Sequence, residues 1–144
     1  MRCFHRLAAL AAACGLVSSY AWALSEGKTA QGDAFVMGGA VDTERVSMRQ
    51  DRKKYSLWIQ TDASVGSSIP DATVHITTRG GVTVLDTRMT GPWLFVKLGA
   101  GEYSVAVTSG TATETRRTFI HAGEHTEMLF FFQPAMTRLP GATQ

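Results

Sequence analysis

Thiols are almost missing from this chain. Its two cysteines, Cys3 and Cys14, both fall in an N-terminal stretch that reads as a secretory signal. Once that stretch is removed, no disulfide, thiolate metal site or cysteine nucleophile remains to be built. Long apolar runs are lacking as well. Residues 7–17 carry no charge, but Ser18, Ser19 and Tyr20 interrupt the run, and a membrane helix needs roughly 20 apolar residues. No mature membrane span is expected. An excess of one charge is also absent, because removing Arg2 and Arg6 leaves twelve basic against twelve acidic residues. That balance takes away the main support for a nucleic-acid partner. Neither a G-x-S-x-G elbow nor a phosphate-binding glycine loop occurs.

What is present begins with export. Arg2 and Arg6 precede the apolar run, which ends in the small-x-small triplet Ala21-Trp22-Ala23. Basic start, apolar middle and small-residue exit are the parts of a signal peptide. Cleavage is expected after Ala23, with the product in the periplasm or secreted. Leu10-Ala11-Ala12-Ala13-Cys14 resembles a lipobox, yet Leu10 stands four rather than three residues before the cysteine, so the later cut is preferred. About 121 residues then remain, enough for one domain around one core.

Five segments are expected along the chain: a signal at 1–23, a leader and first strand at 24–41, a short charged helix or loop at 42–54, a β domain at 55–133 and a flexible tail at 134–144. Ala34-Phe35-Val36-Met37 is the first strand-like run. Asp42 is placed to cap the charged segment, with Glu44 near its start and Arg49, Arg52, Lys53 and Lys54 near its end, as the helix dipole favours. A solvated helix surface is preferred there over a basic docking face. From Tyr55 the pattern becomes β. Ala72-Thr73-Val74-His75-Ile76-Thr77 alternates strictly, with Val74 and Ile76 on one face and Thr73, His75 and Thr77 on the other. Further runs follow at Val82–Leu85, Trp93–Leu98, Tyr103–Val107, Thr113–Ile120 and Met128–Phe132, with Arg79-Gly80-Gly81, Gly99-Ala100-Gly101 and Gly110 as turns. Turn signals about every ten residues predict an all-β fold, a single Greek-key sandwich of about seven strands. Trp58, Phe95, Tyr103, Phe119 and Phe130–Phe132 are the expected core.

Two segments carry a family resemblance. Pro70-Asp71-Ala72-Thr73-Val74-His75-Ile76 matches a Pro-x-Ala-x-Val-x-Ile strand. The stretch from Gly91 through Trp93-Leu94-Phe95-Val96-Lys97-Leu98 to Tyr103-Ser104-Val105-Ala106-Val107 matches an aromatic strand, a turn and a Tyr-led alternating strand. Together they resemble the carboxypeptidase regulatory-like family, which shares the transthyretin (prealbumin-like) sandwich. The likeness covers about Tyr55 to Phe132. Gly99-Ala100 replaces the family's double proline, and its acidic residue before the aromatic strand is missing. The resemblance implies an accessory or binding module and carries no catalytic residue or cofactor to this chain. The Tyr-Arg-Gly-Ser ending of transthyretin-like hydrolases is absent from Leu139-Pro140-Gly141-Ala142-Thr143-Gln144.

One constellation speaks for chemistry. His121-Ala122-Gly123-Glu124-His125 spells H-x-x-E-H, which on a helix sets two imidazoles and a carboxylate on one face for zinc. Gly123 and the flanking β runs favour a hairpin turn instead, and no acidic residue or histidine follows Glu127 to supply a third ligand. His75 is a lone strand histidine, expected at the surface. Trp58 and Trp93 form a sugar platform if exposed, and core packing is the preferred reading. Arg116 and Arg117 must point to opposite faces, and the pair suits an exposed edge better than a phosphate site. The leading expectation is a monomeric envelope module that binds an unidentified envelope protein or glycan, without metal or cofactor. A small metal-dependent hydrolase using His121, Glu124 and His125, and a structural subunit of an envelope assembly, are the alternatives.

Overall fold

The computed structural model describes residues 24–63 and 72–133. The signal segment with Cys14 and the cleavage position Ala23, most of the expected 62–70 loop with Pro70 and Asp71, and the tail from Pro134 lie outside them. Among the described residues nine strands form, rather than about seven: β1 (Ser25–Lys28), β2 (Ala34–Gly38), β3 (Leu57–Ala63), β4 (Ala72–Thr78), β5 (Thr83–Arg88), β6 (Trp93–Val96), β7 (Gly101–Ser109), β8 (Ala112–Ile120) and β9 (Thr126–Phe132). A helix, α1 (Asp42–Asp51), runs into a short 3₁₀ turn at Arg52–Lys54. The extra pairing comes from the stretch expected to be a loose leader. Ser25–Lys28 lies antiparallel on β2, because Thr29 closes the turn between them through Thr29 N–H to Asp33 O (2.8 Å) and Asp33 N–H to Thr29 Oγ1 (3.0 Å).

The strands build an all-β sandwich of two sheets, ordered β1-β2-β6-β3-β9 and β5-β4-β7-β8. All pairs are antiparallel except β3 with β9. Two turns expected to be hairpins are not hairpins. Residues 97–100 carry the chain from β6 to β7, and 121–125 from β8 to β9, each time into the opposite sheet. Alternation tells which face of a strand is apolar but not which sheet the strand joins.

Side-chain parity fills the space between the sheets. Val74 and Ile76 of β4, Val105 and Val107 of β7, Leu57 and Ile59 of β3, and Phe130 of β9 are all fully buried there. Each such side chain stabilises the fold by about 1.5–3 kcal/mol. The aromatic half of the expected core is redistributed. Tyr103 and Phe132 pack at its margin, Trp58 and Phe95 lie on the outer face of the five-stranded sheet, and Phe119 and Phe131 face solvent, 52% and 56% exposed. Phe119 stands opposite Glu102 and Phe131 opposite Asp62, so both share the parity of an outward polar partner.

Helix α1 covers part of the outer face of the five-stranded sheet. Met48 is its one fully buried side chain and seals a second cluster with Val36 and Phe95, flanked by Leu24, Tyr55, Trp58 and Trp93. The expected Asp42 cap does not form: Val41 holds the cap position and makes no side-chain bond. Glu44, 8% exposed, reaches back instead to accept the Gly39 and Ala40 N–H groups, each at 3.0 Å. A carboxylate in the first turn satisfies backbone donors just ahead of the helix and meets the positive end of its dipole.

Candidate functional site

The His121–His125 segment is a turn, not a helix. Gly123 adopts φ +78°, and Glu124 N–H reaches His121 O at 3.2 Å. The two histidines have separate neighbours. His121 packs its ring 4.7 Å from Phe119, whereas His125 stacks on Trp58 at 5.1 Å and lies 2.8 Å through Nδ1 from Tyr55 O. Without helical spacing the imidazoles and the Glu124 carboxylate share no common face. Among the described residues no group of three His, Cys, Asp or Glu side chains is gathered to hold a metal ion. His75 stands elsewhere, on β4, 3.5 Å through Nδ1 from Asp86 Oδ2.

Trp58 and Trp93 lie beneath and beside the helix, half-buried, rather than between the sheets. Trp58 donates its Nε1–H to Arg52 O (3.1 Å) and Tyr55 O (3.2 Å), and the Arg52 guanidinium sits 5.3 Å from its ring. Trp93 stacks on Phe95 at 5.9 Å, with Arg49 5.3 Å away. Both indoles are thus engaged by the chain's own cations and rings, each contact worth about 0.5–1 kcal/mol. Part of the helix's basic surface serves this packing. Arg45 turns its Nε to Gly39 O at 2.7 Å.

The two adjacent arginines separate as strand geometry demands. Arg116 faces the gap between the sheets. It donates to Leu129 O at 2.7 Å, lies 4.8 Å over the Phe130 ring and pairs with Glu114. This closes the β8–β9 side of the sandwich. On the opposite side, Ala30 N–H bonds Val84 O at 3.0 Å. Arg117 faces outward, opposite Ser104, and lines an open cavity of about 420 Å³ with Thr77, Arg79, Glu102 and Tyr103. The expected exposed edge is where the pair stands, β8 being the outermost strand of its sheet. The neighbours of Arg117 come from β7 and β4, some 13 and 40 residues upstream, so no local spacing announced them.

The outer face of the four-stranded sheet differs in kind from that of the five-stranded one. In register across β4, β7 and β8 stand Thr73, Thr108 and Thr113, then His75, Ala106 and Thr115, then Thr77, Ser104 and Arg117. All of these residues are half-buried or exposed. Tyr103, at the cavity's inner wall, donates its hydroxyl to Gly99 O at 2.9 Å. Burial, aided by the negative charge of Asp33, pushes its phenol above the ordinary range. No family model matches the sequence, and no curated protein matches it either.

Proposed function

We propose that this chain is an exported, non-catalytic β-sandwich module of the cell envelope, related to the carboxypeptidase regulatory-like domains, which docks a protein partner on the outer face of its four-stranded sheet. The family reading is supported by where the matching residues sit. Val74 and Ile76 of the first segment, and Leu94, Val96, Val105 and Val107 of the second, are core side chains on strands of the two facing sheets, and Leu98 joins the same core from the β6–β7 connection. The shared pattern is a packing pattern, and it brings binding rather than catalysis with it.

The observation that carries the docking reading is the asymmetry of the two outer faces. The five-stranded sheet packs Trp58, Trp93 and Phe95 of its outer face under its own helix and leaves Leu129 and Phe131 exposed only on its edge strand β9. The four-stranded sheet presents an uncovered field of mainly short side chains, Thr73, Thr77, Ser104, Thr108, Thr113 and Thr115, with Arg117 and the exposed Phe119 at its β8 edge. Threonine is stiff about χ1, so ordering such a surface against a partner costs little side-chain entropy. Four strands of six to nine residues span roughly 15–20 Å by 20–30 Å. That area lies at the small end for protein interfaces, which suits a weak, reversible contact. A protein partner is favoured over a glycan because both tryptophans are engaged within the chain.

Affinity capture from envelope extracts, comparing the natural protein with Ala106→Arg, tests this reading. Ala106 lies mid-face beside Thr115 and His75, and its arginine variant keeps the strand while breaking the flat surface. A stable set of captured proteins lost with Ala106→Arg and kept with Arg49→Gln, on the other side of the molecule, is the expected result. Capture indifferent to Ala106→Arg refutes it, and binding that moves to a glycan array overturns the choice of partner.

A further inference from the structure

One row on that same face is built differently from the rest. Thr77 on β4 stands opposite Ser104 on β7, and Ser104 opposite Arg117 on β8. Side chains paired this way share one face, with neighbouring Cβ atoms about 5 Å apart. Three polar groups therefore converge within a short reach. The neighbouring row spends its hydroxyls on one another, Thr108 and Thr113 meeting at 2.8 Å. In the Thr77 row neither hydroxyl nor the Arg117 guanidinium has a hydrogen-bond or ion-pair partner among the described residues.

The surroundings make this row one side of a half-open depression at the end of the face. Arg79 and Glu102 stand beside it, their charges set against each other at 3.5 Å, and Tyr103 contributes to the inner wall. With Glu102 matched by Arg79, the cavity keeps one uncompensated positive charge, on Arg117. Its volume of about 420 Å³ is at the small end of ligand-binding pockets. It has room for one sugar acid, one amino-acid-sized group or a phosphate. A guanidinium offers two parallel N–H donors to the two oxygens of an oxyanion, and flanking hydroxyls complete the remaining acceptor positions.

We propose that this cavity binds a small oxyanion, a carboxylate or phosphate group held by Arg117 with Thr77 and Ser104 beside it. The site rests on the binding-module reading and names the chemistry that module recognises at one end of its docking face. Arg117 supplies the charge and the bidentate geometry, and the two hydroxyls set orientation. Arg79 remains with Glu102 and raises the local potential without closing on the ligand.

The test is a nuclear magnetic resonance titration of the whole protein, at constant ionic strength, with sodium phosphate in one arm and sodium glucuronate in the other. Saturable shifts at the backbone amides of Thr77, Ser104 and Arg117 and at Arg117 Nε, with a dissociation constant of about 1–10 mM, are expected in at least one arm. The arm that binds more tightly identifies the anion class. Arg117→Gln should weaken binding by about tenfold or more and Arg117→Lys by less, because an ammonium loses the planar fork. Arg49→Gln should leave binding unchanged. Shifts reproduced by chloride, or equal affinity in Arg117→Gln, overturn the site. So does the absence of saturation in both arms by about 50 mM. If the anion site fails while Ala106→Arg still abolishes protein capture, the site alone is lost. If protein capture also ignores Ala106→Arg, the reading of the face falls with it.

Discussion

Replacing Met48 by alanine tests how the helix is attached and hence why one outer face is closed. Met48 is 1% exposed and the only fully buried side chain of the helix, seated on Val36 and Phe95. Removing its thioether loses the burial of a large apolar group and leaves a cavity, a combination that costs about 2–5 kcal/mol in protein cores. The lower part of that range applies here. The surrounding Trp58, Trp93 and Tyr55 are only partly buried, so the gap can collapse or admit water, which points to about 2–3 kcal/mol. For a chain of this size each kcal/mol moves the melting temperature by about 4–5 °C, so Met48→Ala should melt about 10 °C lower. Met48→Leu keeps most of the volume and should lose less than about 1.5 kcal/mol. Thermal unfolding followed in parallel by circular dichroism and tryptophan emission reads both quantities. An alanine variant within about 2 °C of the natural protein would show that the helix is not held by this contact. Tryptophan emission changing well below the melting of the sheets would show instead that helix and sandwich come apart separately.

Gly91→Ala should cost about 2–3 kcal/mol by urea unfolding, because a Cβ there would sit 2.4 Å from the Gly38 carbonyl oxygen. Gly99→Ala, facing open space, should stay within about 1 kcal/mol of the natural protein. Arg116→Ala should lose about 1–2 kcal/mol, since it removes the bond to Leu129 O and the contact with Phe130. Arg117→Ala should change stability by no more than about 0.5 kcal/mol, and equal losses at the two positions would contradict their opposite facing. Tyr103 has a phenol pKa raised first by burial and then by Asp33. Its contribution to stability is therefore complete below the unfolded value of about 10 and is lost as pH rises through the higher folded value. Urea unfolding at about pH 8 and about pH 11 should show a larger alkaline loss for the natural protein than for Tyr103→Phe, and identical losses would refute the assignment.

The strands were legible one at a time. Strict alternation in Ala72–Thr77 separated Val74 and Ile76 from Thr73, His75 and Thr77, and the structure keeps that division. The charged stretch after Asp42 reads as a helix and folds as one, although its N-terminal bonds come from Glu44, whose partners lie outside the helix and give no periodic signal. Aromatic runs misled where composition overrode parity. Phe119 and Phe131 are as hydrophobic as Phe130, yet their places in the alternation turn them outward.

Local patterning determines a great deal in this chain: where strands run, which of their faces is apolar, and that the H-x-x-E-H segment meets a glycine turn instead of a helix. Those are properties of a few adjacent residues and their backbone preferences. Which sheet each strand enters, whether a turn is a hairpin or a crossing, and which distant side chains share a row were settled only when the two sheets packed. Thr77, Ser104 and Arg117 became neighbours because burying the facing sides of β4, β7 and β8 admits one register. That register is a long-range outcome of packing, and no window of sequence contains it.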